Sequence, residues 1–342
     1  MEGYRETMTL NTPREPLIAV RNVKKLFPVR RGLLTRSRAG QKFVHAVDGV
    51  DVEIRKGEVL SLVGESGCGK TTLARLILRL LDLTDGTIVI NGHDLFAASR
   101  SEMRKLRLQM QAVFQDPYAS LDPKKTILQV ISEPLLVNHL NKSGVNVLER
   151  VCESLIAVGL SPPELYLGKF PYELSGGQRQ RVAIARAIVI NPQLIIADEP
   201  VSMLDVSIRA EILTLMLDLK QKFNLTYVFI THDLAVARYV SDRMAVMYLG
   251  KIVEIGSADG VCAQPAHPYT KALLSALPSA NPRTRHKGVQ LKGDVPNAIE
   301  IPTGCRFRPR CPYAFDKCMV EPELVKVGPD HNAACYLAEE KP

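Results

Sequence analysis

The chain has 342 residues, enough for one large domain with an appendage or for two domains. Hydrophobic residues make up 46% of it and charged residues 23%, which excludes a largely disordered chain. The 44 Lys and Arg residues against 36 Asp and Glu residues give a net charge of +8. This charge is compatible with binding to nucleic acid or to anionic lipid, and equally with charged side chains that only face solvent. The apolar runs are too short to cross a bilayer and the N-terminus has no signal-peptide core, so we expect a cytosolic protein, attached at most peripherally to a membrane.

A basic segment and a buried strand come first in the chain. Pro28–Lys42 carries five Arg and Lys residues and predicts a flexible, solvated loop. Val59–Val63 is an apolar run of strand length, and the apolar residues of Thr72–Leu81 recur at helical spacing. The glycine-rich segment Gly64–Thr71 lies between them. The order of strand, glycine loop and helix predicts an α/β phosphate-binding unit.

The loop Gly64–Thr71 fits the pattern G-x-x-x-x-G-K-[S/T]. Its glycines let backbone N–H groups approach phosphate closely, and the N-terminus of the following helix adds a favourable dipole. We expect Lys70 to reach the β- and γ-phosphates and the Thr71 hydroxyl to ligate Mg²⁺. The predicted nucleotide-binding residues of this loop are Gly64, Glu65, Ser66, Gly67, Cys68, Gly69, Lys70, Thr71 and Thr72.

Residues from about 116 to 190 show helical patterns without a clear strand, which predicts a helical insertion in the α/β core. Within it, Leu174–Gln178 places two glycines after a serine at the start of a helix, where N–H groups and a hydroxyl can face an anion. Ser175 satisfies the requirements of an ordinary helix N-cap equally well. A second phosphate-binding surface, formed by Ser175, Gly176, Gly177 and Gln178, suggests that nucleotide is held between two chains.

Two later strands end in polar residues. Leu194–Ala197 is followed by Asp198 and Glu199, and Tyr227–Ile230 is followed shortly by His232. We expect Asp198 to supply the second metal contact of a phosphate-binding loop and Glu199 to polarise an attacking water. An acidic pair after a strand can also cap a helix. Because ligands of parallel α/β sheets lie at the carboxyl ends of the strands, these motifs are predicted to meet at one edge.

Proline becomes frequent and the periodicity fades after about residue 258, which predicts a boundary between residues 1–258 and 259–342. The second part carries four of the seven cysteines, at positions Cys305, Cys311, Cys318 and Cys335. Disulfides are not expected in a reducing compartment, and the paired knuckles of structural zinc sites are absent. An iron–sulfur cluster tolerates irregular spacing and also uses four cysteines, and zinc and unliganded thiols are the alternatives. ATP binding at Lys70 is expected to be independent of this unit.

Together these motifs resemble the ATP-binding subunits of ABC transporters, and Leu174–Gln178 is the most specific of them. The resemblance implies that Gln115 contacts the metal and the nucleophilic water and couples to a transmembrane partner. It also implies that His232 contacts the γ-phosphate and that Phe27 stacks on adenine. From the residues alone, Phe27 is also compatible with a half-buried position in a strand.

Four segments narrow the resemblance to the oligopeptide/dipeptide permease ATPases, and there to the second of two ATPase subunits: 45–50, 64–70, 115–123 and 267–278. This resemblance implies an α/β fold, a P-loop ABC ATPase domain over 1–258. Its parts are a RecA-like parallel sheet core, an antiparallel β edge and a helical subdomain at about 116–190. It also implies that the Cys-rich C-terminal extension, 259–342, holds a [4Fe–4S] cluster, with Zn²⁺ as the alternative.

The implied function is that of an ATP-hydrolysing motor subunit of an importer, at the cytoplasmic face of the cell membrane. Mg²⁺ would be held by Thr71, Gln115 and Asp198, with Glu199 as general base and with Lys70 and His232 stabilising charge on the γ-phosphoryl group. The implied partners are a second homologous ATPase in a head-to-tail dimer, two transmembrane permease subunits and an extracytoplasmic solute-binding protein.

The alternative is a soluble ABC-type ATPase that acts on nucleic acid. Such proteins usually carry long heptad coiled coils or two ATPase cassettes, and neither pattern is present in this sequence, so no nucleic acid is expected as partner. The sequence does not identify the solute among dipeptides, oligopeptides, nickel chelates and oligosaccharides.

Overall fold

The structure, a computed structural model, describes residues 16–29, 41–276, 291, 293 and 296–339. Most of the predicted basic loop, residues 30–40, lies outside the described residues. Within them, strands form two sheets and helices cover the larger sheet, as expected for the α/β class. No helix in the described ranges combines the length and the apolar character needed to cross a bilayer.

The strands of the described residues fall into a small antiparallel sheet and a larger, mostly parallel one. The small sheet has the order β2-β1-β4-β5, and the large sheet has the order β11-β12-β10-β9-β3-β8-β7-β6 once the strands are numbered along the chain. Their bounds are β1 Pro16–Pro28, β2 Phe43–Arg55, β3 Val59–Val63, β4 Asp85–Ile90, β5 His93–Asp94, β6 Met110–Val113, β7 Leu194–Asp198, β8 Thr226–Thr231, β9 Arg243–Tyr248, β10 Lys251–Ser257, β11 Val325–Gly328 and β12 His331–Ala333.

The described α-helices are α1 Lys70–Ile77, α2 Arg100–Gln109, α3 Pro117–Ser120, α4 Ile127–Val137, α5 Val147–Ala157, α6 Glu164–Leu167, α7 Gly176–Ile188, α8 Val206–Phe223, α9 Leu234–Val240, α10 Ala258–Ala263, α11 Pro268–Ser275 and α12 Tyr336–Glu339. Helices α3 to α7, with two short 3-10 turns, fill the sequence between β6 and β7. Helix α1 ends earlier than the predicted Leu81, because Arg79 adopts a left-handed backbone conformation with φ 48°.

The parallel part of the large sheet brings the predicted motifs to one edge. β3 pairs in parallel with β8, and β8 pairs in parallel with β7, so the three strands end side by side. Every residue of β3 and β8 is buried, which agrees with a sheet covered on both faces. The loop after β3, the acidic end of β7 and the residues after β8 therefore face the same space.

The chain after residue 258 packs directly onto the large sheet. Strand β12 pairs with β10, with Glu254 opposite Ala333, and β11 then extends the same sheet. Phe307 is 1% exposed, and its ring lies against Tyr248 and Tyr269, with centroids 5.3 and 5.4 Å away. Strands from both sides of the boundary predicted at residue 258 therefore belong to one sheet.

Phe307→Ala is expected to lower the free energy of unfolding by about 3–5 kcal/mol, since it removes a fully buried ring and leaves a cavity between two tyrosines. Urea unfolding of the full chain, followed by circular dichroism, measures the change. Phe315→Ala is the matched control, because the Phe315 side chain is 38% exposed. Equal losses for the two variants would contradict a core position for Phe307.

Candidate active site

Glycines shape the loop that joins β3 to α1. Gly64 has φ 149°, and a Cβ added there would lie 2.3 Å from the Met247 carbonyl oxygen. Gly69 has φ 111°, and a Cβ there would lie 2.2 Å from the Ala46 carbonyl oxygen. Any larger residue at either position would displace neighbouring backbone. Glycine therefore allows the tight curl of the loop, in which backbone N–H groups can approach a bound phosphate closely.

Lys70, the first residue of α1, is buried and turns back over the loop. Its Nζ donates hydrogen bonds to the carbonyl oxygens of Gly64 at 2.7 Å and Glu65 at 2.9 Å. The ammonium group therefore lies inside the curl of the loop, where a phosphate group would meet it.

Thr71 and Asp198 bring two hard oxygen donors together. The Thr71 hydroxyl donates to Asp198 Oδ1 at 3.2 Å, across the junction of α1 and β7. Burial raises the pKa of Asp198, and the neighbouring Glu199 charge adds to this, although the hydrogen bond from Thr71 opposes it. A hydroxyl and a carboxylate in contact fit the oxygen ligands that Mg²⁺ prefers.

Glu199 is held on both carboxylate oxygens. Gln115 Nε2 donates to its Oε2 at 3.0 Å, and His232 Nδ1 shares a hydrogen bond with its Oε1 at 2.9 Å. The Glu199 backbone is left-handed, with φ 47°, and its N–H donates to the Ile230 carbonyl oxygen. A non-glycine residue held in this uncommon conformation by surrounding contacts is typical of functional sites.

These groups line one cleft of about 570 Å³. Ten predicted site residues line it: Ser66, Gly67, Gly69, Lys70, Thr71, Thr72, Gln115, Asp198, Glu199 and His232. Gly64, Glu65 and Cys68 belong to the same loop without lining the cleft. Sequence reasoning missed the other lining residues, Val44, Ala46 and Ala298, which are small or apolar side chains without a chemical signature.

Phe27 lies near the cleft but does not line it. It is the cross-strand partner of Val44, which does line the cleft, and the Lys25 ammonium lies 5.0 Å from its ring centroid. Residues paired across an antiparallel ladder share one face of the sheet. Adenine stacking by Phe27 therefore stays a prediction, with Val44 as an apolar neighbour on the same face.

The serine–glycine motif begins α7 and lies outside the cleft of its own chain. The Ser175 hydroxyl accepts from the Gln178 N–H at 3.3 Å, and the Gln178 side chain accepts from the Ser175 N–H at 3.0 Å. This is a capping box, so the N-cap interpretation of Ser175 holds in the isolated chain. Contact of Ser175, Gly176, Gly177 and Gln178 with nucleotide would require the cleft of another chain.

The phosphate-binding loop also touches the C-terminal part of the chain. Arg310 donates to both carboxylate oxygens of Glu65, at 2.7 and 3.0 Å, and the Tyr269 hydroxyl accepts from the Glu65 N–H at 2.9 Å. The Pro-rich composition of residues 259–342 suggested a separate unit, but the Arg310 and Tyr269 side chains contact the phosphate-binding loop. That ATP binding is independent of the cysteine unit stays a prediction.

The four C-terminal cysteines line one small cavity together with Tyr313, Pro322 and Tyr336; they are Cys305, Cys311, Cys318 and Cys335. All four are free thiols, and burial raises the pKa of Cys305 to about 11. Among the residues that the structure describes, no three His, Cys, Asp or Glu side chains are grouped to hold a metal ion. The thiols thus share a cavity without forming the tight ligand set of one ion.

Comparisons with known proteins agree with this geometry. A family profile described as ABC transporter matches residues 47–202, and one described as oligopeptide/dipeptide transporter, C-terminal region, matches residues 253–318. The oligopeptide transport ATP-binding protein AppF of Bacillus subtilis is 47% identical over 328 residues, which cover 95% of this chain and 98% of AppF. The di/tripeptide transport ATP-binding protein DppF of Pseudomonas aeruginosa is 42% identical over 326 residues, which cover 95% of this chain and 99% of DppF.

Two solved structures share the fold. The cbiO1 protein of Clostridium perfringens, part of the ABC transporter complex cbiONQ, has a TM-score of 0.62 at 27% identity, over 73% of this chain and 91% of cbiO1. The ATP-binding cassette MJ0796, solved as a dimer bound to ADP and Pi, has a TM-score of 0.59 at 29% identity, over 70% of this chain and 98% of MJ0796.

Proposed function

The chain belongs to the ABC transporter family, among the ATP-binding proteins that carry the oligopeptide/dipeptide transporter C-terminal region, and on this premise we propose that it is the ATP-hydrolysing motor of a di- or oligopeptide importer. The observation that carries the proposal is the pair of hydrogen bonds that Gln115 and His232 make to the Glu199 carboxylate, in the cleft that Lys70 also lines. Relatives named for oligopeptide and di/tripeptide transport support the solute class. The nucleic-acid alternative is not favoured, because the relatives that this chain matches over nearly their whole length are named as transport proteins.

Glu199 serves as the general base. Phosphoryl transfer to water needs a positioned group that accepts the proton of the attacking water. The two hydrogen bonds from Gln115 and His232 fix the carboxylate in one orientation, so that less reorganisation is needed in the transition state. The same bonds connect the base to the Gln115 loop, which leads into the helical subdomain.

Positive charge for the phosphates comes from Lys70 and from the N–H groups of the loop around it. Thr71, Asp198 and Gln115 would hold Mg²⁺ through oxygen atoms. Bound there, Mg²⁺ would neutralise charge on the β- and γ-phosphates. His232 would add a donor at the γ-phosphoryl group from the side of Glu199.

A second ATPase chain completes each site in this proposal. The motif Ser175–Gln178 caps its own helix outside its own cleft, which supports a head-to-tail arrangement in which it faces the partner's phosphate-binding loop. The relative MJ0796 is a dimer, which is consistent with such pairing. Two transmembrane permease subunits and an extracytoplasmic solute-binding protein would complete the importer, with this chain at the cytoplasmic face of the membrane.

The solute class is tested by purifying the intact complex with its solute-binding protein and identifying the bound ligand by mass spectrometry. We expect a di- or oligopeptide, and we expect that protein, loaded with the peptide, to stimulate ATP hydrolysis by the reconstituted complex. A bound nickel chelate or oligosaccharide would contradict the peptide assignment and leave the motor role intact. Salt-sensitive binding to DNA, without co-purifying membrane subunits, would contradict both.

We also propose that Cys305, Cys311, Cys318 and Cys335 hold a [4Fe–4S] cluster. All four side chains line one cavity, which supports the proposal that they bind the same cluster. A four-iron cluster is wider than a single ion, so its thiolates lie farther apart than those around one Zn²⁺. The irregular spacing of the four cysteines, without the paired knuckles of structural zinc sites, favours the cluster over zinc.

Anaerobically purified protein is expected to be brown and to contain about four irons per chain, as ligation of such a cluster by four cysteines requires. Replacing any one of the four cysteines with Ser should bleach the protein and make the C-terminal part more sensitive to protease. Cys152→Ser is the control, since Cys152 lies on α5, away from this cavity. Stoichiometric zinc without iron, or no metal at all, would contradict the cluster.

A further inference from the structure

The segment between the first two cysteines of the cavity, Cys305–Cys311, carries three arginines with different surroundings. Arg306 donates to Asp48 and to the Leu249 carbonyl oxygen, both in the ATPase core. Arg310 reaches Glu65 in the phosphate-binding loop. Arg308, between them in sequence, contacts only the Thr303 hydroxyl, at 3.5 Å, among the contacts that the structure gives its side chain.

Arg310 makes a buried, two-pronged contact with Glu65. Its side chain is 8% exposed, and its guanidinium carbon lies 5.8 Å from the ring centroid of Tyr248 and 6.0 Å from that of Phe307. The pair joins residues that lie 245 positions apart in the sequence. A planar guanidinium with two parallel hydrogen bonds fixes direction as well as distance, so Arg310 restrains the Glu65 side chain in one orientation.

Glu65 is restrained at its main chain as well. Its N–H donates to the Tyr269 hydroxyl at 2.9 Å, and its carbonyl oxygen accepts from Lys70 Nζ at 2.9 Å. The residue that Arg310 holds is thus one of the two, with Gly64, whose carbonyl oxygens accept hydrogen bonds from the ammonium group of the phosphate-binding lysine. A shift of Glu65 would move both the start of the loop and the resting position of Lys70.

We propose that Arg310 is a positioning residue for the phosphate-binding loop, acting through Glu65 to hold Lys70 and the loop N–H groups in the arrangement that binds the triphosphate of ATP. The inference rests on the proposed function and extends it to a residue of the C-terminal region that acts through Glu65. Because Glu199, Gln115 and His232 lie outside this contact and the Lys70 ammonium group itself is retained, the larger effect falls on ATP binding and the smaller one on the hydrolytic step.

The test uses the full chain in the assembled transporter and measures both the Kd for MgATP, by titration with a fluorescent ATP analogue, and the KM and kcat of hydrolysis. Arg310→Gln and Glu65→Gln are each expected to weaken MgATP binding and to raise KM about tenfold, the scale of one lost charge-assisted hydrogen bond. We expect kcat to stay within about twofold. Arg308→Gln, which removes the same charge from the same segment, is expected to change neither constant.

The double variant Glu65→Gln/Arg310→Gln separates positioning from general stability. If the two residues act through each other, the double variant is no weaker in MgATP binding than either single variant. Additive losses would overturn the proposal, and so would a lower melting temperature with an unchanged Kd. If Arg310→Gln does not assemble, Glu65→Gln decides alone, and a Kd within twofold of the native value would overturn the proposal. Failure of the native complex to hydrolyse ATP would count against the proposed function, while the binding titration would still test Arg310.

Discussion

Glu199→Gln is expected to reduce ATP hydrolysis by at least about 100-fold while leaving ATP binding intact. Glutamine has nearly the shape of glutamate, so the cleft keeps its form, but a neutral amide cannot accept the proton of the attacking water. The two contacts from Gln115 and His232 support the proposal that this carboxylate, rather than Asp198, is the oriented base. Asp198 instead contacts Thr71, as expected for a metal ligand.

Single-turnover hydrolysis and nucleotide binding, both in the assembled complex, measure this effect. Glu153→Gln on α5 is the matched control, because Glu153 is exposed and pairs only with Arg150 among the ion pairs of the described residues. The control should retain native rates. A Glu199→Gln complex with near-normal turnover would exclude Glu199 as the base and would direct attention to His232.

Ser175→Asp is expected to reduce ATP hydrolysis about 100-fold or more at the site built on the partner's phosphate-binding loop. Aspartate is as good an N-cap as serine, so α7 should keep its start. Its negative charge would face the phosphates of nucleotide bound to the partner and repel them. Ser175→Arg should damage the same site through its bulk, but it also removes the cap.

Ser175→Asn is the control for folding, since asparagine caps helices without adding charge. Photo-crosslinking of labelled ATP in a complex that contains one altered chain shows which phosphate-binding loop has lost its nucleotide. We expect the loss on the partner chain, with labelling of Lys70 in the altered chain preserved. Loss confined to the altered chain's own loop would contradict the head-to-tail arrangement.

Sequence reasoning located the cleft residues whose chemistry is tied to local structure. Asp198 ends β7, Glu199 follows it and His232 follows β8, and parallel strands end at one edge, so their proximity follows from topology. Lys70 and Thr71 begin α1, directly after a loop in which Gly64 and Gly69 have positive φ. In each case a few neighbouring residues contain the whole signal.

Contacts between distant segments carry no such local signal. Arg310 resembles any other arginine in a basic chain, and only the folded structure shows that it meets Glu65. Ala298 lines the cleft with a methyl group, which has no recognisable chemistry. The pairing of β12 with β10 carries no local signal either, because the pairing of so short a strand depends on the edge of β10 and not on its own composition.

The pairing of β12 with β10 also has a consequence for the order in which the protein folds. His331 and Glu254, in contact at 2.7 Å across these strands, are 77 residues apart in sequence. During synthesis β10 emerges from the ribosome long before its neighbour, and until then it presents a row of unpaired backbone groups at the edge of the sheet. Exposed strand edges are templates for pairing with other chains, so the late arrival of β12 leaves this edge open to such pairing until residues 331–333 have been made.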